Sequence, residues 1–204
     1  MSKSIWFFAL LFLPAALVAQ SPRSAIGGDG TLWAGGEFTD FNPDFGCVHS
    51  NLVFNCPDEL YGPSAFVDLN VTSKIGVVGE ARWLDWNGRA GQKESTYMAG
   101  PRYRLYRHDR WAFWLRGVAG GGWTTTPHYP QAGSLKGSYF TYAVGGTVNY
   151  RLRYHLDLLA DYEYQFWPSF AGPPTFKNGQ EVFHNGGLSP NGLSVGIAWR
   201  FLGQ

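Results

Sequence analysis

Residues 193–201, LSVGIAWRF, alternate without a break. Successive side chains of an extended chain point to opposite faces. Leu193, Val195, Ile197, Trp199 and Phe201 therefore form one row, and Ser194, Gly196, Ala198 and Arg200 the other. An apolar row backed by a small-and-polar row suits a strand with lipid on one side and a narrow lumen on the other. It also suits a strand in a sandwich core, so the remaining sequence has to choose between them.

The same period of two recurs along the chain. Residues 31–41 set Leu32, Ala34, Gly36 and Phe38 against Glu37 and Thr39. Residues 64–71 set Ala65, Val67, Leu69 and Val71 against Phe66, Asp68 and Asn70. Residues 75–86 place Glu80 and Arg82 opposite Val77, Gly79, Ala81 and Trp83. In residues 94–106, Tyr97, Ala99, Tyr103 and Leu105 oppose Gly100, Arg102 and Arg104. Pro101 removes a ladder donor there, and a bulge would accommodate it. Residues 111–123 turn Arg116 inward and Phe113, Leu115, Ala119 and Trp123 outward. A sixth strand follows residue 137, with Phe140, Tyr142, Val144, Val148 and Tyr150 against Thr141, Ala143, Gly145, Thr147 and Asn149. Residues 156–166 are the cleanest case, with Leu156, Leu158, Ala160, Tyr162, Tyr164 and Phe166 opposing Asp157, Asp161, Glu163 and Gln165.

Two regularities follow. The predicted strands number eight, and most are long enough to cross a hydrocarbon core when tilted. The connections between them alternate between long and short along the chain. A start in the periplasm would put every long connection outside the cell and every short one in the periplasm, the sorting that transmembrane barrels require.

The charged residues also segregate. Glu37, Asp68, Glu80, Asp157, Asp161 and Glu163 share the inner rows with Arg82, Arg102, Arg104, Arg116 and Arg200. An eight-stranded barrel has room inside only for side chains. These near-balanced charges are expected to pair across the lumen as an ionic plug, with inner Gly and Ala making space for the arginines. Their spread over many strands weighs against reading Asp157, Asp161 and Glu163 as paired catalytic carboxylates. The outer rows carry aliphatics, with Trp83, Tyr97, Trp111, Trp123, Tyr150, Phe166, Trp199 and Phe201 toward the ends as interfacial girdles. A soluble calyx would reverse this polarity.

Composition agrees with that fold. Charged residues make up 15% of the chain and aromatics 17%, with 27 glycines, which suits neither a soluble α/β enzyme nor a disordered chain. The formal net charge of +1 gives no reason to expect nucleic acid as a partner. Residues 1–19 have the layout of a secretory signal peptide: Lys3, then an apolar run over 5–18 interrupted by Pro14, then Ala19. Cleavage after Ala19 would leave 20–204 as one barrel domain.

Cys47 and Cys56 lie in a stretch rich in Asn, Pro, Asp and Gly. In an exported protein such a close pair predicts a disulfide tying one loop. A zinc site using His49 is the weaker reading, because no fourth ligand lies nearby.

The leader, the eight alternating strands, the sorted loops and the closing Ser194-x-Gly196-x-x-Trp199-x-Phe201 resemble the small bacterial outer-membrane β-barrel family, which includes OmpA-like and OmpX-like domains. The resemblance implies an all-β, eight-stranded antiparallel up-and-down transmembrane barrel in the bacterial outer membrane. It also implies that Ser194, Gly196, Trp199 and Phe201 act as the C-terminal assembly signal. Such signals usually stop at the final aromatic, whereas Leu202, Gly203 and Gln204 follow here. The implied partners are outer-membrane lipid, the barrel-assembly machinery with periplasmic chaperones, and an unknown extracellular ligand.

The architecture hosts unrelated activities, so function has to come from the site. The expected role is non-enzymatic, structural or surface-interacting, acting through the long loops. A narrow small-solute channel is the alternative, and a charge-filled lumen weighs against it. Barrels that modify lipid A use histidine with serine and an acid near the outer rim. Among His49, His108, His128, His155 and His184, His155 lies at the wrong end and His128 and His184 in long loops, and no Gly-x-Ser-x-Gly, P-loop or metal-ligand cluster is present, so a lipid A-modifying enzyme stays as the lesser alternative. No cofactor is expected.

Overall fold

The alternating stretches become strands: β1 (Thr31–Asn42), β2 (Leu60–Asn70), β3 (Ile75–Leu84), β4 (Lys93–His108), β5 (Trp111–Thr125), β6 (Lys136–Arg153), β7 (Leu156–Phe166), β8 (Thr175–Lys177), β9 (Gln180–Val182) and β10 (Asn191–Leu202). This computed structural model describes residues 30–44, 59–85, 91–126, 134, 136–170, 175–177, 180–182 and 187–203. Cys47, Cys56 and the leader 1–19 lie outside the described residues, as do His49, His128 and His184. Eight strands close into an antiparallel barrel in the order β1, β10, β7, β6, β5, β4, β3, β2. The remaining two, β8 and β9, pair as a hairpin in the connection from β7 to β10.

Closure is made by the two ends of the barrel sequence. Strand β1 pairs with β10 from Asn42↔Asn191 down to Leu32↔Leu202, so neither strand is left with an open edge. Of the other pairs, β2–β3, β4–β5 and β6–β7 meet across short turns and the rest across longer connections. Asp109, at φ 47°, makes the tight turn from β4 to β5, a left-handed conformation that Asp tolerates better than most residues.

The pleat sorts the side chains. Along β7, Asp157, Leu159, Asp161, Glu163 and Gln165 are buried while Leu158, Ala160 and Tyr162 are exposed. Exposed Val67, Leu69, Val77, Leu115, Val144, Leu158, Val195 and Ile197 carry the same polarity around the barrel. Trp83, Tyr97, Trp111, Trp123, Trp199 and Phe201 are outward too. So continuous an apolar exterior over a polar interior is the arrangement of a barrel in lipid.

The structure departs from the sequence reading at both prolines and at the chain's end. Strand β2 starts at Leu60 rather than at residue 64 and runs through Pro63. Pairing with β3 begins only at Ser64↔Arg82, so at Pro63 the strand is paired on its β1 side alone, where proline is tolerated. No bulge forms at Pro101. The β4–β5 register is the same at Ala99↔Ala119 and Arg102↔Arg116, and the shift comes later, between Arg104 and Tyr106. One missing donor interrupts the ladder there without moving it. Strand β10 also continues past Phe201. A bulge lets Trp33 pair with Arg200 and Leu32 with Leu202, which turns both Phe201 and Leu202 outward.

A closed barrel of this kind resists detergent until heated. Unboiled protein is therefore expected to migrate on SDS gels at a different apparent mass from boiled protein. Identical mobility in the two lanes would count against the closed fold.

Candidate functional site

The inner rows of β3, β5 and β7 converge on one buried ionic cluster. Arg82 Nη1 donates to Glu163 Oε1 at 2.8 Å. Arg116 reaches three carboxylates: Glu80 Oε2 at 2.7 Å, Asp161 Oδ1 at 2.6 Å and Glu163 Oε2 at 2.5 Å. Thr147 Oγ1 donates to Asp161 Oδ2 at 2.6 Å and Gln165 Nε2 to Glu163 Oε1 at 2.8 Å. Burying ions is unfavourable unless geometry is good and further hydrogen bonds fill the remaining lone pairs; Asp161 and Glu163 gain such bonds, whereas Glu80 Oε1, Arg82 Nε and Arg116 Nε have no hydrogen-bond partner among the described residues. The cluster needs Gly145, because a Cβ at that position would lie 3.1 Å from Arg116 Nε and 2.8 Å from the Tyr162 carbonyl.

An apolar layer covers the cluster at the end carrying the long connections. Phe41, Leu60, Leu84, Trp167, Phe170 and Leu188 are buried together there, with Tyr139 packed against them. Trp167 and Leu188 exchange backbone hydrogen bonds of 2.9 and 3.2 Å, which folds the segment after β7 over the mouth. The two layers are joined. Trp167 Nε1 donates to Gln165 Oε1 at 2.8 Å, and the Arg82 guanidinium lies 4.6 Å from the centre of the Phe41 ring. Gly122 gives Trp167 its place, since any Cβ there would strike the indole ring.

Toward the short turns, two apolar patches face each other across the lumen: Val78, Met98, Val118 and Ala143 on β3 to β6, and Trp33, Phe66, Leu159 and Ala198 on the opposite wall. Between these walls, a cavity lined in part by Phe66, Val78 and Leu159 measures only about 10 Å³, room for roughly one water. Beyond it the lumen widens into a chamber of about 490 Å³ that reaches Thr72, Ser73 and Tyr154 in the short turns. Arg102 pairs with Asp68, and Arg151 Nε lies 3.6 Å from Asp157 Oδ1 in its wall.

The eleven charged residues picked out in the sequence all face the lumen, but they do not form one bonded set. Glu80, Arg82, Arg116, Asp161 and Glu163 make the central cluster. Glu37 stands beside it and accepts a bond from Ser64 Oγ at 3.2 Å. Asp68, Arg102, Arg104, Asp157 and Arg200 line the chamber. Of these, Arg104 lies 5.4 Å from the Trp114 ring centre, and Arg200 donates to the Tyr154 carbonyl at 2.7 Å.

The four motif residues of β10 divide by parity. Ser194 is inward, 2.9 Å from Thr39 Oγ1, and Gly196 lies against β1 beside Glu37, where a Cβ would collide. Trp199 and Phe201 are outward, with the His155 ring stacked 5.9 Å from that of Trp199. His108 and His155 both sit beside short turns, His108 3.2 Å from Asp109.

Sequence reasoning turned Gln165 inward without giving it a role, and passed over Trp167, Arg151 and Glu94, a carboxylate only 1% exposed. A signal for two of them existed. Gln165 and Trp167 continue the inward parity of Asp161 and Glu163, so the row runs past the strand's end into what reads as loop.

No described protein family and no curated protein matches the chain. Among solved structures it is similar to Neisserial surface protein A, with a TM-score of 0.57 and 11% identity over 84% of this chain and 97% of that one. It is also similar to the N-terminal β-barrel domain of Pseudomonas aeruginosa OprF, with a TM-score of 0.51 and 7% identity over 85% of this chain and 98% of that one. The likeness is one of fold: a closed eight-stranded bacterial outer-membrane barrel.

Glu163→Ala removes a carboxylate shared by Arg82 and Arg116, leaving buried positive charge uncompensated. It is expected to cost about 3–5 kcal/mol, read by urea unfolding in lipid vesicles. A loss below about 1 kcal/mol would mean that water screens the cluster as it does at a surface.

Proposed function

We propose that this eight-stranded outer-membrane barrel is a non-enzymatic envelope protein, closed to solutes, that meets an extracellular partner through its long connections. The observation that carries the reading is the filling of the lumen: an apolar layer, an ionic cluster, and below them side chains that leave a cavity of only about 10 Å³. Water-filled passages belong to wider barrels, whose interiors the side chains cannot fill. A rigid cylinder that transports nothing still holds its loops in fixed relative positions, and loops on such scaffolds are where binding concentrates. The short turns face the periplasm in this reading, and the apolar belt is its contact with outer-membrane lipid.

Delivery belongs to periplasmic chaperones and the barrel-assembly machinery, which would read Ser194, Gly196, Trp199 and Phe201 on the closing strand. The outward exposure of Trp199 and Phe201, at 51% and 61%, leaves both rings available for such a contact.

Two measurements test this. In planar bilayers the wild-type protein is expected to show no stable open state, and a steady single-channel conductance would favour the narrow-channel alternative instead. In cells, Phe201→Ala is expected to lower the level of folded barrel several-fold, while deletion of Gly203 and Gln204 leaves it unchanged. The opposite pattern would remove the assembly role from the aromatic.

A further inference from the structure

The chamber at the short-turn end is more than the unfilled end of the lumen. Five arginines line it, Arg102, Arg104, Arg107, Arg151 and Arg200, against two aspartates, Asp68 and Asp157, an excess of three positive charges. Both aspartates are already engaged, Asp68 by Arg102 and Asp157 by Arg151. The lining as a whole therefore keeps a net positive charge.

Arg200 and Arg104 are positioned by aromatic rings. Arg200 lies 3.7 Å from the Tyr154 ring centre and 5.5 Å from that of Trp33, and Arg104 lies 5.4 Å from that of Trp114. An aromatic face fixes a guanidinium without neutralising it, so the positive potential survives. Arg102 and Arg200 also bury their Nε groups with no acceptor among the described residues. A buried donor without a partner is costly, and an incoming oxyanion removes that cost. The low-dielectric wall of the barrel concentrates the field toward the opening.

We infer that this chamber is a binding site for a small multivalent oxyanion, of phosphate or carboxylate type, entering from the periplasm. The site rests on the proposed orientation only for the side from which the anion comes. Planar guanidinium forks match both oxyanion classes in bidentate geometry, and a volume of about 490 Å³ accommodates an anion of several heavy atoms with its water. The source is either a free solute or the phosphate headgroup of an inner-leaflet lipid, since the chamber opens at that level.

The test uses the folded protein in neutral maltoside micelles, titrated with inorganic pyrophosphate by calorimetry at low salt. Wild-type protein is expected to bind saturably with one site, and 0.5 M sodium chloride to weaken the binding strongly. Arg107→Gln, at an exposed position that should not disturb folding, and the double change Arg104→Gln with Arg107→Gln are each expected to weaken it, the double by about tenfold or more. Lys93→Gln, at the other end of the barrel, should bind like wild type. Absence of saturable binding by the wild type, or equal binding by Arg107→Gln and by a folded double variant, would overturn the site. Repeating the titration in nanodiscs with and without phosphatidylglycerol names the source: competition by the anionic lipid identifies the headgroup, and its absence identifies a free anion. The readout is independent of conductance. A conducting barrel that binds pyrophosphate would sink the closed-lumen reading alone, and a silent barrel that does not bind would sink the chamber alone.

Discussion

Hydrocarbon offers no water to an unpaired amide, and everything else in this structure depends on that fact. A sheet that crosses lipid must have no edge, so the first and last barrel strands have to find each other. The β1–β10 ladder does this over the length of both strands. Once closure is imposed, the pleat leaves each side chain only two addresses. The outward address is lipid and the inward one a narrow lumen, and polarity follows from that choice.

Closure at eight strands then creates a second demand. The interior is too narrow for bulk solvent, and each inward charge must be satisfied by another side chain. The chain answers differently along the axis. Near the long connections it fills the space with Phe41, Leu60, Leu84 and Trp167; in the middle, two arginines are held among three carboxylates. At the short-turn end it leaves room, and the arginines there lean on rings as well as on acids. The lumen is therefore polarised, dry at one end and cationic at the other.

Strand number, order and facing were readable because the period of two is local, and a strand 11 residues long such as β7 repeats it enough times to be unambiguous. The bonded groups inside were harder. Alternation says that Arg116 and Arg102 both point inward, but not that one joins Glu80, Asp161 and Glu163 while the other joins Asp68. That division depends on shear and on which strands face each other across the lumen, which no local pattern records. Trp167 was missed for a related reason: its strand ends at Phe166, yet its parity carries on into the cap. At Pro101 the local rule was correct but its consequence was smaller than expected, because neighbouring ladder bonds hold the register.

The contact of Thr39 with Ser194 joins residues 155 positions apart. Thr39 also lies 3.2 Å from Ser64 Oγ, so three hydroxyls bridge β2, β1 and β10 from within. The other neighbouring pairs lie much nearer in sequence: even β7 and β10 are separated only by residues 167–190. The seam alone carries the entropy of bringing together the two ends of the barrel. It is thus the pairing with the least local help, the natural last step in folding and the first place where a partly assembled cylinder would gape. Small hydroxyls suit that task, since they lock the register with directional bonds while letting the two backbones approach along a wall that has yet to shut.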